Sequence, residues 1–141
     1  MIKNRYVNYG IKLNKNYKSF KQNGARMLHT NLTHILSAQE HAKVLQENEN
    51  VMVCCGRMGP MCIPVYSVMQ ELEPEYKNVK FADMEFDIPD AYVIRDLKEC
   101  ESFRGIPFVI YYKNGNVVKA TSSIQSKVQV TTILDQQFSK E

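Results

Sequence analysis

Arg104-Gly105-Ile106-Pro107-Phe108-Val109-Ile110-Tyr111-Tyr112-Lys113-Asn114-Gly115 is the stretch on which the reading of the fold turns. Phe108 to Tyr112 is an unbroken apolar and aromatic run, which suits a strand. Asn114-Gly115 is a strong short-range hairpin signal, because both residues tolerate positive φ. Asn116 to Thr121 then returns as the second arm.

Working outward, Leu32 to Leu36 reads as a short strand, and Ser37-Ala38-Gln39-Glu40 has capping-box spacing for a helix to about Gln46. The polar break Glu47-Asn48-Glu49-Asn50 precedes a strand that begins at Val51-Met52-Val53. A helix follows from Pro60 or Pro64 to about Tyr76, with Val65, Val68, Met69 and Leu72 on one face. Val79 to Phe86 reads as a strand, and Pro89-Asp90 opens a helix to about Leu97. Ser126 to Gln129 repeats the capping-box spacing ahead of a helix to about Phe138. The order βαβαβαββα predicts an α/β domain with a mixed sheet flanked by helices on both faces.

The 141 residues suit one domain, and no run approaches the ~18 apolar residues of a membrane span. The net charge of +3 is unevenly placed. Residues 1–26 carry seven bases (Lys3, Arg5, Lys12, Lys15, Lys18, Lys21, Arg26) and no acid, leaving 11 bases against all 15 acids and a net of −4 elsewhere. Residues 1–29 are therefore expected to be a basic, disordered N-terminal extension, and 30–141 the folded domain. The extension could also precede a true start at Met27, or act as an organellar targeting peptide or as a nucleic-acid or membrane arm. The net-negative body argues against a nucleic-acid partner.

Four cysteines, at 54, 55, 62 and 100, are too few for a disulfide-built scaffold. With no apolar secretory segment in the basic N-terminus, the expected setting is a reducing cytoplasm with free thiols. Three of the four lie in Cys54-Cys55-Gly56-Arg57-Met58-Gly59-Pro60-Met61-Cys62, a strand end, a glycine-bearing turn and the start of a helix. A helix N-terminus favours a thiolate over a thiol, so Cys62 is expected to have a lowered pKa, with Arg57 helping.

Arg104-Gly105-Ile106-Pro107 ahead of Lys113-Asn114-Gly115, within this element order, resembles the thioredoxins over about residues 30–140. The resemblance implies a thioredoxin fold, a cis Ile106-Pro107 bond, and a loop there that docks a protein thiol or disulfide partner beside the reactive thiols. Cys62 falls on the family's second, resolving cysteine, whereas the attacking position falls on Gly59 and the preceding tryptophan on Met58. The family's buried aspartate falls on Val53, and its partner lysine near Asp83. The Cys-X-X-Cys pair is thus replaced by Gly59-Pro60-Met61-Cys62.

Three functions follow as expectations. In the first, a rewired oxidoreductase uses Cys62 as nucleophile and Cys55 or Cys54 as the resolving thiol, since the glycine-bearing loop between them is flexible. Arg57, Gly59, Pro60, Ile106 and Pro107 contact its substrate, and a reductase could recycle it. In the second, Cys54, Cys55 and Cys62 together capture a thiophilic metal ion or metalloid. In the third, the fold serves binding alone. No organic cofactor or resident metal, no membrane association and a monomeric state are expected. Cys100 reads as structural or as a peripheral redox thiol. Asp83, Glu85 and Asp87 alternate on a strand, where a solvent-facing strand end is the simpler reading and a replacement proton acceptor the sharper one. Core filling is the simpler reading of the methionines, but Met58 and Met61, flanking the Gly59-Pro60 turn, could instead form an apolar docking rim or soft ligands.

Overall fold

A computed structural model describes residues 27–138. The expected basic segment 1–26 lies outside the described residues. Leu28, on the extension side of the expected boundary at 30, is buried in the core.

The five strands are β1 (Thr33–Ile35), β2 (Asn50–Gly56), β3 (Lys80–Glu85), β4 (Phe108–Lys113) and β5 (Asn116–Ser122). They form one sheet in the order β1-β3-β2-β4-β5. β3 runs parallel to both β1 and β2, while β2–β4 and β4–β5 are antiparallel. The helices are α1 (Ala38–Glu47), α2 (Ile63–Leu72), α3 (Tyr92–Arg95) and α4 (Lys127–Gln137). Short 3-10 turns at Pro89–Ala91 and Lys98–Cys100 flank α3. The mixed sheet and its element order are those expected from the sequence.

Central β2 is buried along its whole length, so its residues alternate between two separate cores. Met52 and Cys54 face α2 and α4, joining Tyr66, Met69, Leu72, Leu134 and Phe138. Val51, Val53 and Cys55 face the other layer, with Ile94, Ile110 and Tyr112. This alternation decides which cysteines can meet.

Local chemistry sets the boundaries. The β4–β5 turn places Asn114 at φ 52° and Gly115 at φ 81°, both in the left-handed region that Asn-Gly enters cheaply. α4 has the full capping box: Ser126 Oγ accepts from Gln129 N at 3.2 Å and Gln129 Oε1 accepts from Ser126 N at 2.8 Å. α1 has a shifted version, in which Ser37 caps Glu40 N but the Glu40 carboxylate reaches Leu36 N at 2.8 Å. α2 begins at Ile63, so Pro64 and not Pro60 lies in its first turn. It ends at Leu72, short of the expected Tyr76, because Pro74 has no N–H to continue the ladder.

Candidate functional site

The turn from β2 to α2 brings Cys62 back over Gly56. Backbone bonds from Cys62 N and Ile63 N to the Gly59 carbonyl, at 3.1 and 2.9 Å, close the turn, and Cys62 is the N-cap of α2. The Cys62 side chain makes no capping bond to the first turn of the helix. Instead its sulfur accepts from Arg57 N at 3.4 Å. The Tyr66 hydroxyl, one turn along α2, donates to the Arg57 carbonyl at 3.0 Å.

Gly56 shows how closely these groups converge. A Cβ placed on it would stand 2.8 Å from Cys62 Sγ, 2.8 Å from the Tyr66 hydroxyl and 3.0 Å from Pro107 Cβ. The strand backbone, the sulfur, the phenol and the proline ring therefore share one small space. The Ile106–Pro107 peptide bond is cis, and Pro107 is buried while Ile106 is half-buried.

The structure divides the expected cysteine set. Cys54 and Cys62 belong to one core, and Cys55 and Cys100 to the other. Adjacent strand residues point to opposite faces, so Cys54, and not Cys55, is the β2 thiol on the Cys62 side. Three sulfurs on one side of the sheet, as a capture site for a thiophilic ion would need, are not assembled. Among the described residues no three His, Cys, Asp or Glu side chains form a metal-binding group. All four cysteines are free and buried.

Burial also reverses the expected thiol electrostatics. Cys62 is 1% exposed. Burial pushes its thiol above the ordinary value, against the opposing pull of the Arg57 N–H, the Tyr66 hydroxyl and the Arg57 charge. Desolvation disfavours the anion more strongly than the local donors favour it. The Arg57 guanidinium is turned toward Asp87, with bonds of 2.7 and 2.8 Å, and stacks over Phe86. Its help to the sulfur is correspondingly small. Burial raises Cys54 well above the ordinary thiol range and raises Cys55 strongly, while Cys100 is pushed up to about 11.

The acids of β3 do not form a solvent-facing strand end. Asp83 is 1% exposed, with its carboxylate accepting from Thr30 Oγ1 at 2.6 Å and lying 2.8 Å from His34 Nδ1. Asp83 is paired in register with Cys54, and Glu85, also buried, with Gly56. Val53, where the resemblance carries the family's buried aspartate, belongs to the opposite core. His41 is buried and bonds Tyr112.

Around the turn, Met58 and Met61 are 41% and 43% exposed, and Arg57 and Pro60 are also exposed. Met58 lines a cleft of about 300 Å³ with Met27, His29, Arg57 and Asp87. Tyr66 and Gly56 are the site residues the sequence reading passed over. The Cys62–Tyr66 spacing of four, and a glycine at the end of an otherwise apolar strand, are the signals that point to them.

The fold is that of the thioredoxins. The chain superposes on the oxidised thioredoxin of Plasmodium falciparum at 18% identity and TM-score 0.59, covering 74% of this chain and 96% of that one. Thioredoxin O2 of Arabidopsis thaliana matches at 15% identity and TM-score 0.60, over 80% and 99%. Mitochondrial thioredoxin 3 of Saccharomyces cerevisiae matches at 18% and TM-score 0.60, over 74% and 94%. No protein-family model matches the chain, and no curated protein matches it by sequence. Among the described residues no helix is long and apolar enough to cross a membrane.

Proposed function

We propose that this protein carries out thiol–disulfide exchange with a protein partner through Cys62, with Cys54 as the second thiol. The observation that carries the reading is the convergence over Gly56: a Cβ there would stand 2.8 Å from Cys62 Sγ and 3.0 Å from Pro107 Cβ, and the Arg57 N–H donates to the sulfur. The partner segment docks along Ile106 and Pro107 and against the exposed Arg57–Gly59–Pro60 turn, whose displacement uncovers the sulfur. The deprotonated Cys62 sulfur attacks one sulfur of the partner disulfide, forming a mixed disulfide and releasing the other as a thiolate. Cys54, once deprotonated, then attacks the Cys62 sulfur, releasing the second partner thiolate and leaving a Cys54–Cys62 disulfide. The partner gains two electrons and the pair loses two. An external dithiol reductase or small-molecule thiol restores the reduced pair. Cys55, facing the other core, supports no step here, and a reducing compartment such as the cytoplasm suits the resting thiols.

Cys62→Ser is expected to abolish reduction of a protein disulfide, and Cys54→Ser to leave a mixed disulfide at Cys62 that accumulates. Full activity in Cys62→Ser would overturn the assignment. A second reading, binding without turnover, is favoured by a different observation: every thiol is buried, and the resemblance places Gly59 where the thioredoxins have the attacking cysteine. In that case the wild type captures partners but reduces none, and Cys62→Ser binds as the wild type does.

A further inference from the structure

Tyr66 is placed to respond to the charge on Cys62. The two residues are four apart and lie on one face at the start of α2. The Tyr66 hydroxyl donates to the Arg57 carbonyl at 3.0 Å, while the N–H of the same residue reaches Cys62 Sγ at 3.4 Å. Hydroxyl and sulfur also flank the same point over Gly56, each 2.8 Å from it. A phenol has one proton to donate, so it can serve the carbonyl or the sulfur but not both. A neutral thiol is a weak acceptor and a thiolate a strong one, so the preferred partner changes with the state of the sulfur.

We propose that Tyr66 is a switching hydrogen-bond donor: it holds the Arg57 carbonyl while Cys62 is a thiol and turns to Sγ when Cys62 becomes a thiolate. It is a positioning residue that stabilises the anion without giving up its proton. Burial supports this role, because it raises the phenol well above its ordinary value and keeps the oxygen protonated where a thiol ionises. The groups facing the pair are Cys54 and, from the far side of the sheet, Cys55 on β2, together with Asp83 on β3 and Arg57 on the turn. Cys54, Cys55 and Asp83 oppose a second negative charge. Arg57 is committed to Asp87, which leaves its N–H and the Tyr66 hydroxyl as the close donors available to the sulfur. When the phenol leaves the Arg57 carbonyl, the turn that carries Arg57 loses one of its anchors.

This inference rests on the reading of Cys62 as the reactive thiol, but its test needs no partner, so the two can fail separately. The full-length protein is alkylated with iodoacetamide across a pH series, and the Cys62 peptide is quantified by mass spectrometry. Tyr66→Phe is expected to move the alkylation midpoint of Cys62 up by about one pH unit, making alkylation about tenfold slower at a fixed pH below the midpoint. Replacing Tyr66 with 3,5-difluorotyrosine, which keeps the ring in place and strengthens the donor, is expected to move the midpoint down. A rate change in Tyr66→Phe with an unmoved midpoint would show a role in packing alone and overturn the proposal. If Tyr66→Phe does not fold, the difluorotyrosine protein decides the matter, and an unmoved midpoint there overturns it as well.

Discussion

Adding one methyl group at Gly56 tests the site geometry. In Gly56→Ala the new carbon stands 2.8 Å from Cys62 Sγ, 2.8 Å from the Tyr66 hydroxyl and 3.0 Å from Pro107 Cβ. The first two contacts lie about 0.7 Å inside the ~3.5 Å at which non-bonded heavy atoms rest. While Cys62 is a thiol each of the three is held: the sulfur sits at the N-cap of α2, the buried phenol ring is packed in the core with its hydroxyl on the Arg57 carbonyl, and the proline ring is part of the backbone. Overpacking of this kind costs about 1–3 kcal/mol. Gly56 does not use a positive φ, so alanine recovers roughly 0.5–1 kcal/mol of backbone entropy, and the net expected loss runs up to about 2.5 kcal/mol, centred on ~1 kcal/mol. Gly59→Ala is the control, since nothing lies within 4 Å of its Cβ position. Urea unfolding followed by circular dichroism reads the difference as a lower midpoint at unchanged slope for Gly56→Ala alone. If Gly56→Ala is as stable as Gly59→Ala, the convergence of sulfur, phenol and proline is refuted.

Three further outcomes are expected. Asp83→Asn should cost about 1–3 kcal/mol, because it weakens the bonds of a buried carboxylate to the partly buried Thr30 and His34; a urea midpoint equal to that of the wild type would contradict their importance. Stability should fall as pH rises beyond the ordinary thiol range toward about 11. Burial raises the folded-state values of Cys54, Cys55, Cys62 and Cys100, so above that range the unfolded chain releases protons that the folded chain retains. Unfolding at pH 7, 9 and 10.5 checks the sign, and a constant or rising stability would contradict it. Cys100→Ser should leave thiol-exchange activity unchanged, because Cys100 lies in the opposite core from Cys62; lost activity with retained folding would mean that the wrong thiols have been assigned.

Much of the architecture was legible in local signals. Asn114-Gly115 specified the hairpin, Ser126 and Gln129 the cap of α4, and the apolar run from Phe108 the central strand beside β2. The site was less legible because its state depends on what covers it. The helix start at Cys62 suggested a lowered pKa, but a local sequence does not reveal that Sγ faces inward and loses its water. Loop length allows either Cys55 or Cys54 to meet Cys62, whereas the strand's alternation, fixed by which face α2 covers, leaves Cys54 on that side. Asp83 read as a solvent-facing acid until its partners appeared from the chain around Thr30 and His34, some fifty positions away. Boundary errors have a simpler cause: Pro74 ends α2 early, and the expected helix through Leu97 breaks into 3-10 turns around a four-residue α3.

The central claim is that Cys62 works with Cys54, and peptide mapping of the protein after oxidation by glutathione disulfide tests it most directly. Free thiols are blocked with N-ethylmaleimide in denaturant at mildly acidic pH, where exchange is slow, and the bridged peptides are identified by mass spectrometry and shown to reopen with dithiothreitol. A reversible Cys54–Cys62 bridge is the expected result. A Cys55–Cys62 bridge, or four thiols that remain reduced under conditions that oxidise ordinary dithiols, would contradict it.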